Sequence, residues 1–278
     1  MNIGIVGLGL IGGSLGLKLQ SLNHTVYGVT NNNLNEIKAK ERKLANIISQ
    51  NYEILENCSI IILALPIKNL INPSTNLIKA IPNKAIITDV GSVKVPIIET
   101  WEKIHHLFVG SHPMTGTEER GVNAGKIGLF DNSKWVITPT YKTDQNSLKT
   151  LSKLFKNIGC DIYLENPIIH DQAVANISHL PIYLASCLIE TAYCKNNKDL
   201  LNLSCKLAAT GFSDTSRVGG GNPNLGVDLA ENNTTNILNS IKNFKKNISE
   251  IEKIFEEKNW DVLEAKLKKG QEWRKHFC

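Results

Sequence analysis

Gly7-Leu8-Gly9-Leu10-Ile11-Gly12 lies between the apolar run Asn2-Ile3-Gly4-Ile5-Val6 and the stretch Gly13-Ser14-Leu15-Gly16-Leu17-Lys18-Leu19, and its reading decides the fold. A strand that runs into G-x-G-x-x-G and out into a helix is the arrangement that receives a dinucleotide pyrophosphate. Gly7 permits the tight turn, Gly9 lets backbone approach the phosphates and Gly12 brings helix close to strand; Leu8, Leu10 and Ile11 complete the cofactor-facing turn. Working outward, Thr25 to Thr30, Ser59 to Leu65 and Ala85 to Val90 read as further buried strands separated by helix-compatible segments, and Asp161 to Leu164 as a last one. Such alternation implies parallel βαβ units, hence a Rossmann-type, doubly wound α/β sheet.

Beyond Asn166-Pro167 the periodicity becomes helical, through His170 to Tyr193 and on to Lys269. The chain is therefore expected to divide into a dinucleotide-binding domain, 1–165, and an all-helical substrate and dimerisation domain, 166–278. Ile237, Leu238, Ile241, Phe244, Ile248, Ile251, Ile254 and Phe255 recur at helical spacing, as core or as the interface of a homodimer.

Composition narrows the classes. A 278-residue chain that is 42% hydrophobic and 21% charged is an ordinary globular protein. Its net charge of +5 is spread along the chain, which leaves no footprint for nucleic acid but suits a small anionic substrate. Met1-Asn2 leads straight into the first strand and no apolar run approaches the ~18 residues of a membrane span, so a cytoplasmic protein without a membrane partner is expected. The six cysteines show neither C-x-x-C nor zinc-like spacing with histidines; they read as reduced, mostly core thiols, and no metal site is expected.

The second strand ends Thr30-Asn31-Asn32, without the carboxylate that accepts from the ribose of NAD. Nothing there repels a 2′-phosphate, and hydroxyl and amide groups can hold one. NADP is favoured, NAD remains open, and the asparagines also suit a simple turn. Leu65-Pro66-Ile67, Gly91-Ser92 and Gly110-Ser111-His112-Pro113 all end strands, where ligands of doubly wound sheets bind. Leu65, Pro66, Ile67 and Gly91 are accordingly assigned to the cofactor side.

His112 is a candidate base, since imidazole titrates near neutrality; it also suits a structural hydrogen bond under a turn. Ser92 suits holding a substrate hydroxyl or orienting water beside His112, and equally capping the helix that follows; the two roles can coexist. Gly211-Phe212-Ser213-Asp214-Thr215-Ser216-Arg217, continuing to Pro223, reads as a loop interrupting the helical domain. Arg217 offers a fork of donors for a carboxylate, or an intramolecular pair with Asp214.

These blocks, with Asp89 to Lys94, Met114-Thr115-Gly116-Thr117-Glu118, His170-Asp171-Gln172 and Ser178-His179-Leu180-Pro181, resemble the prephenate/arogenate dehydrogenase family of tyrosine biosynthesis, cyanobacterial-type arogenate dehydrogenases above all. The resemblance spans nearly the whole chain, and neither a fused chorismate mutase segment nor a C-terminal regulatory domain is expected. It implies oxidative decarboxylation of L-arogenate to L-tyrosine with reduction of NADP. His112 would deprotonate the ring hydroxyl beside Ser92, and Arg217 would bind a carboxylate. Ser213 and Thr215 are counted with Arg217 as substrate-binding, and His179 as wall of the site or a structural histidine. Many prephenate-using relatives have a second histidine after Ser-His-Leu-Pro, where this chain has Ile182. An acidic group, Glu118 or Glu119, would favour the ammonium of arogenate. Open beside this are a prephenate dehydrogenase using NAD or NADP, another hydroxy-acid or imine-directed oxidoreductase, and a non-catalytic NADP-binding sensor.

Overall fold

The computed structural model describes residues 1–117 and 119–277. β1 (Asn2–Val6), α1 (Leu10–Ser21), β2 (Thr25–Val29), α2 (Asn33–Glu41) and β3 (Ile47–Ser49) form the first half of the sheet domain. β4 (Ile60–Leu63), α3 (Ile67–Ile71), α4 (Thr75–Ala80), β5 (Ile86–Asp89), α5 (Val95–Ile104) and β6 (Phe108–Pro113) form the second. β7 (Lys134–Thr138), α6 (Gln145–Ile158) and β8 (Asp161–Leu164) extend the sheet, whose order is β3-β2-β1-β4-β5-β6-β7-β8. Its pairs are parallel except β6 with β7. Strand order reverses between β1 and β4, so a crevice opens above their carboxyl ends.

The central strands are buried on both faces, as the unbroken apolar run of β4 requires. On one face Ile3 and Ile5 pack with Leu15, Leu19, Trp135 and Phe155, the last two stacked with ring centroids 3.9 Å apart. On the other, Val6, Ile61 and Leu63 pack with Ile97 and Trp101, whose indole N–H donates to the Leu70 carbonyl at 2.7 Å.

α7 (Pro167–Val174) begins the helical domain, capped by Asn166. One π-helical turn, Ala175–His179, joins it to α8 (Leu180–Ala192). α9 (Lys198–Leu207), α10 (Thr210–Ser216), α11 (Pro223–Asn232), α12 (Thr234–Glu256) and α13 (Trp260–Arg274) follow.

Four sequence expectations change. β3 and β7 were not anticipated; each is a short strand supported by its neighbours in the sheet. The segment expected as a loop from Gly211 is helical through Ser216 and continues as a 3-10 turn, Arg217–Gly220. Its hydroxyl groups bond back to carbonyls four residues earlier, Thr215 to Gly211 and Ser216 to Phe212, which lets these residues sit in a helix. Cys58 and Cys160 are buried, but Cys187 and Cys205 are exposed. Finally, the continuous helix Pro167–Ala192 contains an 18-residue window of mean hydropathy 1.2, long and apolar enough to cross a membrane. Polar residues interrupt it in sequence, and several of them, His170, Asp171 and His179, are buried against protein.

Candidate active site

The glycine turn is built as its spacing requires. Gly7 has φ +97° and donates its N–H to the Val29 carbonyl at 2.9 Å. A methyl group on Gly12 would collide with the Gly7 carbonyl, whereas one on Gly9 would meet nothing within 4 Å. Gly9 is the N-cap of α1 and supplies no side chain to its first N–H groups. These donors and the positive end of the helix are therefore open to an anion.

A cleft of about 460 Å³ runs from this turn across the β1/β4 crevice, lined by Gly7, Leu8, Gly9, Thr30, Asn31, Leu65 and Pro66. The Thr30 hydroxyl is buried without a partner, and Asn35 and Asn69 add amides. A phosphate-accepting turn leading to an orphaned hydroxyl and several amides fits a dinucleotide. Six residues assigned to the cofactor stand back from this cleft, Leu10 and Ile11 among them, which line a second one. Asn32 caps α2 through Asn35, Ile67 is core, Gly91 donates to Asp89 at 2.8 Å, and Gly12 serves helix packing. Arg42, the basic residue ending α2, is not free for a phosphate; its guanidinium donates to the Val122 and Gly125 carbonyls at 2.5 Å each.

A second cleft, of about 640 Å³, brings together Ser92, His112 and Arg217, with Leu10 and Ile11 from the glycine turn. Ser92 and His112 stand at strand ends of the sheet domain, and Arg217 opens the 3-10 turn of the helical domain. Gly219 presses this turn on α8; a methyl group there would lie 2.6 Å from the Ala185–Ser186 backbone. Among the described residues Arg217 forms no ion pair with Asp214, so the intramolecular pair is not made. Ser92 does not cap α5, whose cap is Lys94.

His112 is 8% exposed, and its Nδ1 lies 3.0 Å from Nε2 of His170. His170 Nδ1 in turn lies 2.8 Å from Oδ1 of Asp171. Asp171 also accepts from the backbone N–H of Lys94 at 2.7 Å and of Val95 at 2.9 Å, so a carboxylate from the helical domain caps α5. Beneath these, the fully buried Lys94 pairs with Asp89 and donates to the Ser111 carbonyl at 2.7 Å. Asp89 accepts as well from the N–H of Ser111 at 3.0 Å. Burial holds the His112 imidazole well below its ordinary pKa, helped by His170, Lys94 and His179. Lys94 is lowered too, by burial, against the opposing pull of Asp89.

The remaining candidates lie elsewhere. Ser213 and Thr215 are exposed on α10 and line neither cleft. His179 is fully buried on the π-turn, its Nδ1 3.2 Å from the Asn233 amide. Its Nε2 faces the Ser92 backbone without completing a hydrogen bond, and burial lowers its pKa to about 4. It supports the Ser92 segment from behind. Glu118 lies outside the described residues, while Glu119, Arg120 and Ile182 line the cleft. No role was assigned in the sequence to His170, Asp171, Lys94 or Asn233; His170-Asp171 stood in a recognised block, but its partners lie far off in the chain.

Comparison with known proteins meets this geometry. A family described as "Prephenate dehydrogenase, nucleotide-binding domain" matches residues 14–164, and its companion, "Prephenate dehydrogenase, dimerization domain", matches residues 166–269. The chain belongs to the prephenate dehydrogenase family. A prephenate dehydrogenase of Bacillus subtilis is 27% identical over 97% of this chain and 74% of its own length. Among solved structures, Synechocystis arogenate dehydrogenase superposes with a TM-score of 0.83 at 36% identity, covering 100% of both chains. Prephenate dehydrogenase from Aquifex aeolicus, solved with hydroxyphenyl propionate and NAD+, gives 0.91 at 26% identity over 100% of this chain and 98% of its own. As a member of the family this protein is an NAD(P)-dependent dehydrogenase with a Rossmann nucleotide-binding domain and a helical C-terminal domain, which sets aside the non-catalytic sensor.

Proposed function

We propose that this family member is an arogenate dehydrogenase that prefers NADP, acts as a cytoplasmic homodimer, and divides at 165/166. The observation that carries the reaction is the meeting of His112, Ser92 and Arg217 in one cleft across two domains. A bound nicotinamide dinucleotide supplies the hydride acceptor, with Gly7, Leu8, Gly9, Thr30, Asn31, Leu65 and Pro66 holding it. His112, neutral because it is buried, takes the proton of the ring hydroxyl. Ser92 orients that hydroxyl. Arg217 grips a carboxylate with donors that are worth about 1.5–3 kcal/mol when charged and sheltered. Loss of carbon dioxide and aromatisation of the ring make the step effectively irreversible.

Two features support arogenate over prephenate. Glu119 brings a carboxylate to the cleft, complementary to an ammonium, and Ile182 occupies the place of the second histidine found in many prephenate-using relatives. NADP is supported by the carboxylate-free Thr30-Asn31 corner, where the orphaned Thr30 hydroxyl remains to be bonded. The homodimer is supported by the apolar surface of the helical domain, where Ile168, Ile169, Ile177 and Leu188 are exposed on one long helix. Steady-state assays offering arogenate and prephenate with each of NADP and NAD test the reading. Highest kcat/KM is expected for arogenate with NADP; higher kcat/KM for prephenate would reassign the substrate.

A further inference from the structure

The two histidines and one carboxylate beneath the cleft form a directed chain whose protons can be placed. Asp171 accepts the backbone N–H of Lys94 on Oδ1 and that of Val95 on Oδ2, an all-acceptor arrangement that suits a carboxylate, and we read it as one. His170 must then carry hydrogen on Nδ1, facing Asp171 at 2.8 Å. If its ring is neutral, its Nε2 holds a lone pair, and the contact at 3.0 Å requires hydrogen on Nδ1 of His112. That tautomer leaves the lone pair of His112 on Nε2, the nitrogen for which no hydrogen-bond partner is found among the described residues. Were His170 a cation instead, His112 would carry its hydrogen on Nε2 and have no basic nitrogen to offer.

Building on the reading of His112 as base, we propose that His170 and Asp171 are positioning residues. They hold His112 as its Nδ1–H tautomer before reaction and take over the charge it gains during reaction. The bookkeeping of atoms is simple. The hydroxyl proton bonds to Nε2 of His112, the Nδ1 proton of His112 passes to Nε2 of His170, and His170 becomes an imidazolium against the Asp171 carboxylate. His112 is left neutral. The ring resets when its Nε2 proton leaves to water in the open cleft and the Nδ1 proton returns from His170.

The surroundings explain why such a transfer is favourable. His112 faces His170 and Asp171 from α7, Lys94 and Asp89 from the β5–α5 corner, His179 from the π-turn, and Glu119, Arg120 and Arg217 across the cleft. A positive charge left on its buried ring sits near Lys94, whereas one step away it sits beside a carboxylate anchored by two backbone N–H groups. Asp171 both caps α5 and ends the chain of histidines, so replacing it would disturb folding; His170 is the cleaner position to test.

Three proteins suffice: the wild type, His170→Phe, which keeps a ring without an acceptor, and His170→Gln, whose amide oxygen can accept from His112 but cannot take a proton. In ¹⁵N-imidazole NMR of the wild type, His112 is expected as the Nδ1–H tautomer, retained in His170→Gln and mixed in His170→Phe. With arogenate, kcat should fall at least about tenfold in His170→Phe, toward the ~10⁴ seen where a tautomer-holding group is lost. KM should stay near wild type, and the acid limb of the kcat profile should move to lower pH. His170→Gln should recover only part of the rate. An Nε2–H tautomer in the wild type, or a His170→Phe enzyme with wild-type kcat and an unmoved acid limb, would overturn the proposal; full recovery in His170→Gln would overturn the proton transfer. Should His112→Asn itself keep wild-type kcat, the base reading fails first, which separates the two claims.

Discussion

At the residue level, the site owes its state at neutral pH to burial. The unfolded chain protonates its histidines near 6.5, whereas folded His112 lies well below that value and folded His179 lies at about 4. Between those limits the unfolded state binds more protons, so folding stability falls as pH drops from about 6.5 toward 4. Urea midpoints measured at pH 7.5 and 5 should show this loss, and replacing His179 by Asn should lessen it; a midpoint that rises on acidification would contradict it. The Lys94–Asp89 pair makes a second test. Asp89→Ala leaves a buried ammonium without its partner and should cost about 3–5 kcal/mol of stability by denaturant unfolding, most of it regained in Asp89→Ala with Lys94→Met. A single variant as stable as wild type would show the pair to be dispensable. His112, Ser92 and Arg217, which share one cleft, could be singled out in the sequence because strand tips and a lone arginine among glycines carry local signals. His170 and Asp171 were not: their meaning rests on contacts with residues 58 and 76 to 77 positions away, which no local spacing encodes.

At the level of elements, glycines decide two approaches. Gly12 lies where any side chain would strike the Gly7 carbonyl, so Gly12→Val should displace α1 and abolish dinucleotide binding, read by quenching of protein fluorescence on titration with NADPH. Retained affinity would argue against the turn as the phosphate cradle. Gly219 sets the depth of the turn that bears Arg217. Gly219→Ala should raise KM for arogenate with little change in kcat, while a fall in kcat alone would mean that the turn serves chemistry rather than binding. The helical start of the Arg217 segment escaped the sequence because Gly, Ser and Thr are poor helix formers in isolation; here their hydroxyls satisfy carbonyls within the turn, and α8 supplies the packing surface. β7 escaped for a related reason, a five-residue strand held by β6 on one side and β8 on the other.

Across the whole molecule, in the proposed function the sheet domain supplies cofactor cradle and base and the helical domain the carboxylate clamp, and Asp171 ties one to the other at the start of α5. The alternation of buried strands with helices and the change to helix after residue 166 were readable because periodicity is a property of the chain itself. The join between the halves was not, since it depends on three-dimensional docking. That join predicts a division of labour, which steady-state kinetics with arogenate measures directly when His112→Asn is placed beside Arg217→Ala. His112→Asn should lose about 10²–10⁴ in kcat with KM little changed, and Arg217→Ala should chiefly raise KM. A His112→Asn enzyme with wild-type kcat would contradict the assignment of the base.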